Sequence, residues 1–192
     1  MNCPACKILN QNPPQLQEKQ LERGLKAMCC GECEGVFLDH EKYYNWSQEQ
    51  MENTFVENEN FEVKPSAEIR GAKFCPACAS YLVKYEVGRN LAFTIDRCGK
   101  CGGIWLDGNE WNALKQAKLQ FDLHRIFSTD WQSNVRTQQH EKALDNIWKE
   151  QFGKDYDELM RIKQWIDAHP KAAEMYGFLN SHAGGRVAQS RK

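Results

Sequence analysis

Eight of the nine cysteines fall into four Cys-x-x-Cys pairs. Cys75 and Cys78 are followed, after nineteen residues, by Cys98 and Cys101; Cys3 and Cys6 are followed, after twenty-three, by Cys30 and Cys33. Two residues between cysteines let a tight turn aim both sulfurs at one point. Two such turns brought together form a tetrahedral four-sulfur cage, the geometry Zn2+ accepts with Zn–S bonds of about 2.3 Å. The spacing predicts two closed structural sites, Cys3, Cys6, Cys30, Cys33 and Cys75, Cys78, Cys98, Cys101, and therefore two Zn2+ per chain. Tetrahedral sulfur also suits iron, and spacing alone does not separate the metals.

Other cysteine chemistry fits less well. The first candidate ligand is the third residue, which leaves no room for a cleavable leader before it, so reduced thiols in the cytoplasm are expected rather than disulfides. A thioredoxin-like motif is a single Cys-x-x-Cys near a βαβ pattern, not two matched pairs of pairs. The ninth cysteine, Cys29, adjoins the ligand Cys30; neighbours on an extended chain point to opposite sides, so Cys29 reads as a small apolar filler. Catalysis has poor signals. Four thiolates leave a zinc no open position, and His40, His124, His140, His169 and His182 form no ligand or triad spacing. A non-enzyme is expected, with no small-molecule substrate.

The two cysteine sets share a tail. Cys30-Gly31-Glu32-Cys33-Glu34-Gly35-Val36-Phe37-Leu38-Asp39 aligns with Cys98-Gly99-Lys100-Cys101-Gly102-Gly103-Ile104-Trp105-Leu106-Asp107. Gly31 and Gly99 are expected to take the positive φ of the turn. Cys75-Pro76-x-Cys78 with Cys98-x-x-Cys101-Gly102-Gly103-Ile104-Trp105-Leu106-Asp107-Gly108-x-Glu110 resembles the transcription factor IIB-type zinc ribbon family, in particular small bacterial tandem-ribbon proteins. The first copy resembles it more loosely, with Glu34, Phe37 and Lys42 where the second has Gly102, Trp105 and Glu110. The resemblance implies zinc-bound β-modules that dock on RNA polymerase or contact nucleic acid.

The elements that position these residues follow from periodicity. Tyr81, Val83, Tyr85, Val87 and Leu91, Phe93, Ile95 alternate around Gly88-Arg89-Asn90, a hairpin with one apolar face. A poorer hairpin runs through Gln15 to Leu21, turns at Glu22-Arg23-Gly24 and returns through Leu25 to Cys29. Asp107 with Glu110 reads as a capping box before a helix carrying Trp111, Leu114, Ala117 and Phe121; Trp105 and Trp111 read as packing residues. Ser47 is the expected cap of a short helix to Phe55, with Trp46 as its staple. Three further apolar stripes predict helices from Ser128 or Thr129 to Gly153, from the Asp155/Glu158 capping box to His169, and from Pro170, forming a bundle with its own core. The expected class is a small metal-bound α+β chain: two tandem four-cysteine zinc ribbons built on β-hairpins, then an α-helical C-terminal domain. The segments are 1–42 (ribbon), 43–72 (acidic helix and linker), 73–127 (ribbon with following helix), 128–182 (helical bundle) and 183–192 (basic tail). The ribbons are expected to be joined semi-flexibly, not packed as a rigid pair.

Charge directs the choice of partner. The net charge of −1 lacks the surplus of a non-specific nucleic-acid binder, and no apolar run is long enough to span a membrane. Residues 1–64 hold eleven Asp and Glu against six Lys and Arg, whereas residues 65–127 hold nine Lys and Arg against six Asp and Glu. Polyanion contact is thus expected at the second ribbon, through Lys84, Arg89, Arg97 and Lys100. The expected partner is nucleic acid or the transcription machinery, with a protein partner of an adaptor as the alternative.

Overall fold

The computed structural model describes residues 1–10, 12–50, 71–88 and 91–183. Most of the expected acidic linker, the Arg89-Asn90 turn and most of the basic tail lie outside the described residues. The chain divides into two compact units, Met1–Thr137 and one beginning at Gln138.

Each cysteine set of the first unit organises a hairpin and a third short strand. In the N-terminal module these are β1 (Gln17–Glu22), β2 (Leu25–Cys29) and β3 (Val36–Leu38). Its counterpart has β4 (Leu82–Gly88), β5 (Leu91–Cys98) and β6 (Ile104–Leu106). All pairings are antiparallel, and the six strands make one sheet in the order β1-β2-β3-β6-β5-β4. A hairpin alone is marginal in water. Fusion into six strands buries what each would expose.

The join corrects the expected semi-flexible connection. β3 pairs with β6 through Val36 with Leu106, Phe37 with Trp105 and Leu38 with Ile104. Phe37 and Trp105 hold the same place in the two repeats, so a pseudo-twofold axis passes between them. Two glycines complete the symmetry. A Cβ on Gly35 would lie 2.2 Å from the Trp105 ring, and one on the equivalent Gly103 would lie 2.5 Å from the Phe37 ring. Each module thus seats its aromatic ring over the glycine of the other.

One face of the sheet is covered by helices, and the core there draws on both modules. α2 (His40–Gln50) follows β3, and α3 (Glu110–Gln116) follows β6. Trp46 of α2 packs 5.9 Å from Trp111 of α3 and 5.1 Å from Phe121. The indole N–H of Trp46 donates to the Arg23 carbonyl, and that of Trp111 donates across the seam to Glu22. The Tyr43 hydroxyl donates to the Gln120 carbonyl and accepts from the Leu123 N–H, fixing α4 (Leu123–Ile126). The expected Ser47 cap is corrected. α2 starts at His40 because Asp39 accepts from the Lys42 N–H, while Ser47 is buried inside the helix and donates to the Tyr44 carbonyl. Trp46 is core, not a staple.

α5 (Thr129–Phe152) starts in the first unit, where Ser128 accepts from the Trp131 N–H. Its Gln132 side chain takes the place of a neighbouring strand beside β4. The amide accepts from the Glu86 N–H at 3.2 Å and donates to the Glu86 carbonyl at 2.9 Å, blunting an exposed sheet edge. In the second unit α5 ends at Phe152, just before Gly153, then α6 (Tyr156–Asp167) and α7 (Ala172–Ala183) follow. Two sequence expectations change here. Asp155 makes no side-chain cap, and Glu158 pairs with Arg161 instead; Pro170 lies in a turn before α7 rather than at its first position. The expected closed core is also absent among the described residues. Ile147, Trp148, Leu159, Ile162, Trp165 and Phe178 are exposed, and only Tyr156 and Ile166 are buried.

The seam has a direct test. Gly103→Ala should lower stability by about 1–3 kcal/mol in chemical denaturation, because neither the Phe37 ring nor the sheet can easily yield. Gly31→Ala, whose Cβ would meet nothing within 4 Å, should stay within about 0.5 kcal/mol of the wild type.

Candidate metal centres

The cages sit at the ends of the hairpins. Each is built by an N-terminal knuckle and a second knuckle between the last hairpin strand and the short strand, and the backbone bonds repeat. Cys30 N–H donates to the Gly35 carbonyl and Cys98 N–H to the Gly103 carbonyl, both at 2.8 Å; Cys3 N–H donates to Pro14 and Cys75 N–H to Ser80. The positive φ falls after the second knuckle, at Glu34 (58°) and the equivalent Gly102 (72°), not at Gly31 or Gly99 as expected. The reversal into β3 and β6 comes there. Glu34 carries the strain that Gly102 avoids, on the order of 1 kcal/mol.

All eight expected ligand residues gather in two groups of four, with the sulfurs of each group within 4.8 Å of one another. The contacts are Cys3–Cys33 3.5 Å, Cys6–Cys30 3.8 Å, Cys75–Cys101 3.5 Å, Cys78–Cys98 3.4 Å and Cys78–Cys101 3.6 Å. Sulfurs 2.3 Å from one tetrahedral ion stand roughly 3.8 Å apart, whereas a disulfide needs about 2.05 Å. Both groups therefore fit a zinc ion. Backbone N–H groups already point at the sulfurs, from Cys6 to Cys3 and from Cys101 to Cys98.

Crowding makes the thiols unequal. The hydrogen bond with Cys3 holds Cys33 down at about 5 and raises Cys3 in turn. Burial pushes Cys6 and Cys75 up to about 12. Hydrogen bonding from Ser80 lowers Cys78 to about 6. Protons shared in this way are what a bound dication displaces, so metal uptake releases them. Cys29 takes no part: it is buried in the apolar core, and burial raises its thiol.

The cages and the repeated tail can be set beside known proteins. Residues 74–117 match the transcription factor zinc-finger family. The second module is therefore similar to a transcription factor IIB-type zinc ribbon. No curated protein and no solved structure matches the chain.

A polar cluster that the motif did not suggest lies under the second ribbon. Lys73 Nζ donates to Asp96 at 2.8 Å and to Asp107 at 2.5 Å; the Trp105 indole donates to the other Asp107 oxygen, and the Asp107 N–H donates to Glu110 at 2.7 Å. All four ionisable side chains are buried. Glu110 thus makes one half of the expected capping box, while Asp107 is occupied by Lys73 and Trp105. The repeat-equivalent positions in the first module are Met1, Met28, Asp39 and Lys42, and Lys42 there reaches the exposed Glu18. The comparison of repeats was the available signal. Burial pushes Glu110 up to about 9, reinforced by Asp107. Burial opposes the charge on Lys73, but the two aspartates outweigh it and raise that group.

The four basic candidates do not form one patch. Lys84 is 3.9 Å from Asp96. Arg97, across from Val83 in the register, lies on the opposite face, its guanidinium 5.1 Å above the Phe127 ring. Lys100 is exposed between its two cysteines. Arg89 lies outside the described residues.

Two outcomes are expected. Elemental analysis of the purified chain should give two zinc equivalents, and stripping them with a chelator should abolish the β-sheet circular dichroism, since structural zinc contributes on the order of 10 kcal/mol of folding free energy per site. Separately, Glu110 binds a proton when folded and loses it when unfolded, so its contribution is complete below about 4.5 and falls as pH rises towards about 9. Glu110→Gln should raise stability by about 1–3 kcal/mol at pH 8, and the gain should vanish near pH 4.5 in denaturation at matched ionic strength.

Proposed function

We propose that the chain is a non-catalytic protein of two tandem zinc ribbons that acts in transcription by binding nucleic acid. The observation that carries this reading is the family match over residues 74–117 on a cage whose backbone bonding recurs around Cys3, Cys6, Cys30 and Cys33. Filled four-thiolate shells suit a structural rather than a catalytic metal, which supports action through surfaces. The basic excess of residues 65–127 supports the second ribbon as the contacting module.

A protein adaptor is the second reading, and one observation favours it. Ile147, Trp148, Leu159, Ile162, Trp165 and Phe178 expose apolar surface on the C-terminal helices, as a partner-binding unit would.

A mobility-shift titration with mixed DNA and RNA separates the readings. Binding should appear at low ionic strength and fall steeply with salt, because affinity that depends on neutralised phosphates is lost through counterion release. No shift at low salt, together with stoichiometric recovery of one protein on the immobilised chain, would establish the adaptor instead.

A further inference from the structure

The second ribbon carries a surface that the first one lacks. Phe74 and Tyr81 face each other across an isolated antiparallel bridge, ring centroids 6.2 Å apart, and both are half exposed at 49 % and 53 %. Their equivalents in the first module, Asn2 and Gln15, make the same bridge with polar side chains. Two residues along β4, on the same face as Tyr81, Val83 is exposed as well; its equivalent is Gln17. Aromatic rings left in water at one repeat and replaced by amides at the other are not a requirement of the fold.

The same face leads to a cation. Val83 pairs with Arg97, and Arg97 pairs with Ile104. The Arg97 guanidinium lies over the Phe127 ring, and its Nε is buried without an acceptor among the described residues. Beyond it a cleft is lined by His40, Tyr43, Tyr44, Arg97, Ile104, His124 and Phe127. Those residues supply one fixed positive charge, two imidazoles and two phenols, and no carboxylate. Cysteine occupies the Arg97 position in the first module, where Cys29 is core, so the cation too belongs to one repeat alone.

We propose that single-stranded nucleic acid lies along this face of the second ribbon, with bases stacked on Phe74 and Tyr81 and a backbone phosphate held in the cleft by Arg97 between His40 and His124. The proposal rests on the nucleic-acid reading above and assigns its site. Stacked bases beside a tracked phosphate are how sequence-tolerant binding of single strands is built, each stacked base contributing on the order of 1–3 kcal/mol. An arginine over an aromatic ring, its Nε without an acceptor among the described residues, suits a phosphate oxygen, which guanidinium binds through parallel hydrogen bonds. An apolar protein partner would match the rings but would leave Arg97 unanswered.

The test is fluorescence anisotropy of labelled oligo(dT) and oligo(U) with the full zinc-loaded chain, wild type and variants, at several salt concentrations. Phe74→Ala and Tyr81→Ala should each weaken binding roughly tenfold or more, while Gln15→Ala, the equivalent change in the first module, should leave it unaltered. Arg97→Gln should weaken binding and flatten the salt dependence by about one phosphate; zinc content and circular dichroism show whether each variant is folded. Because Phe74 and Tyr81 are exposed, their variants decide the matter even if Arg97→Gln unfolds. Wild-type binding that survives both alanine substitutions unchanged would overturn the site while sparing the nucleic-acid reading; no binding of any oligonucleotide by wild type at low salt would overturn both.

Discussion

Four thiolates brought within 4.8 Å of one another repel unless a cation stands between them. That constraint sits at the root of the first unit. Each hairpin is too small to hold itself, and backbone hydrogen bonds shape each knuckle so that its sulfurs gather at one point. With the metal in place, the turn after the second knuckle reverses the chain and delivers β3 or β6 to the middle of the sheet. The rings of Phe37 and Trp105 can then reach the glycines opposite them. The core between α2 and α3 depends on that seam in turn, since Trp46, Trp111 and Glu22 are drawn from both halves.

The two modules solve the same folding problem with unequal means. Beneath the second ribbon, Lys73 is shared by Asp96 and Asp107, and burial, reinforced by the charge on Asp107, keeps the proton on Glu110. Buried ionic clusters of this kind are costly to desolvate and fix geometry more than they stabilise. Here the cluster holds Trp105, through its indole N–H, in the orientation that the seam requires. The first module places Met28 and Phe37 in the corresponding region and fixes its ring by packing alone.

How far the sequence could be read depended on the distance over which each signal acts. Cage composition and the hairpins were legible, because Cys-x-x-Cys spacing and the alternation of Tyr81 to Val87 are local patterns. The seam was not, because three-residue strands such as Val36–Leu38 carry no usable period and Gly35 meets Trp105 only in space. The polar cluster was hidden for the same reason: Lys73 and Asp107 are far apart in the chain, and Glu110 read naturally as a cap. Ser47 misled because a serine that bonds back to its own helix looks, in sequence, like one that starts it. The C-terminal stripes foretold helices correctly, but periodicity cannot say whether the stripes meet one another, and Trp148, Trp165 and Leu179 do not become buried.

The pairing of Phe37 with Trp105 at equivalent positions is an isologous contact within a single chain, the arrangement by which two identical subunits associate about a twofold axis. A protein with only one such module could make this sheet by homodimerisation, but both copies would then carry every substitution. Covalent linkage removes that obligation. One half can keep amides where the other displays rings, and a core cysteine where the other has an arginine, so that two halves built on one plan need not present the same surface.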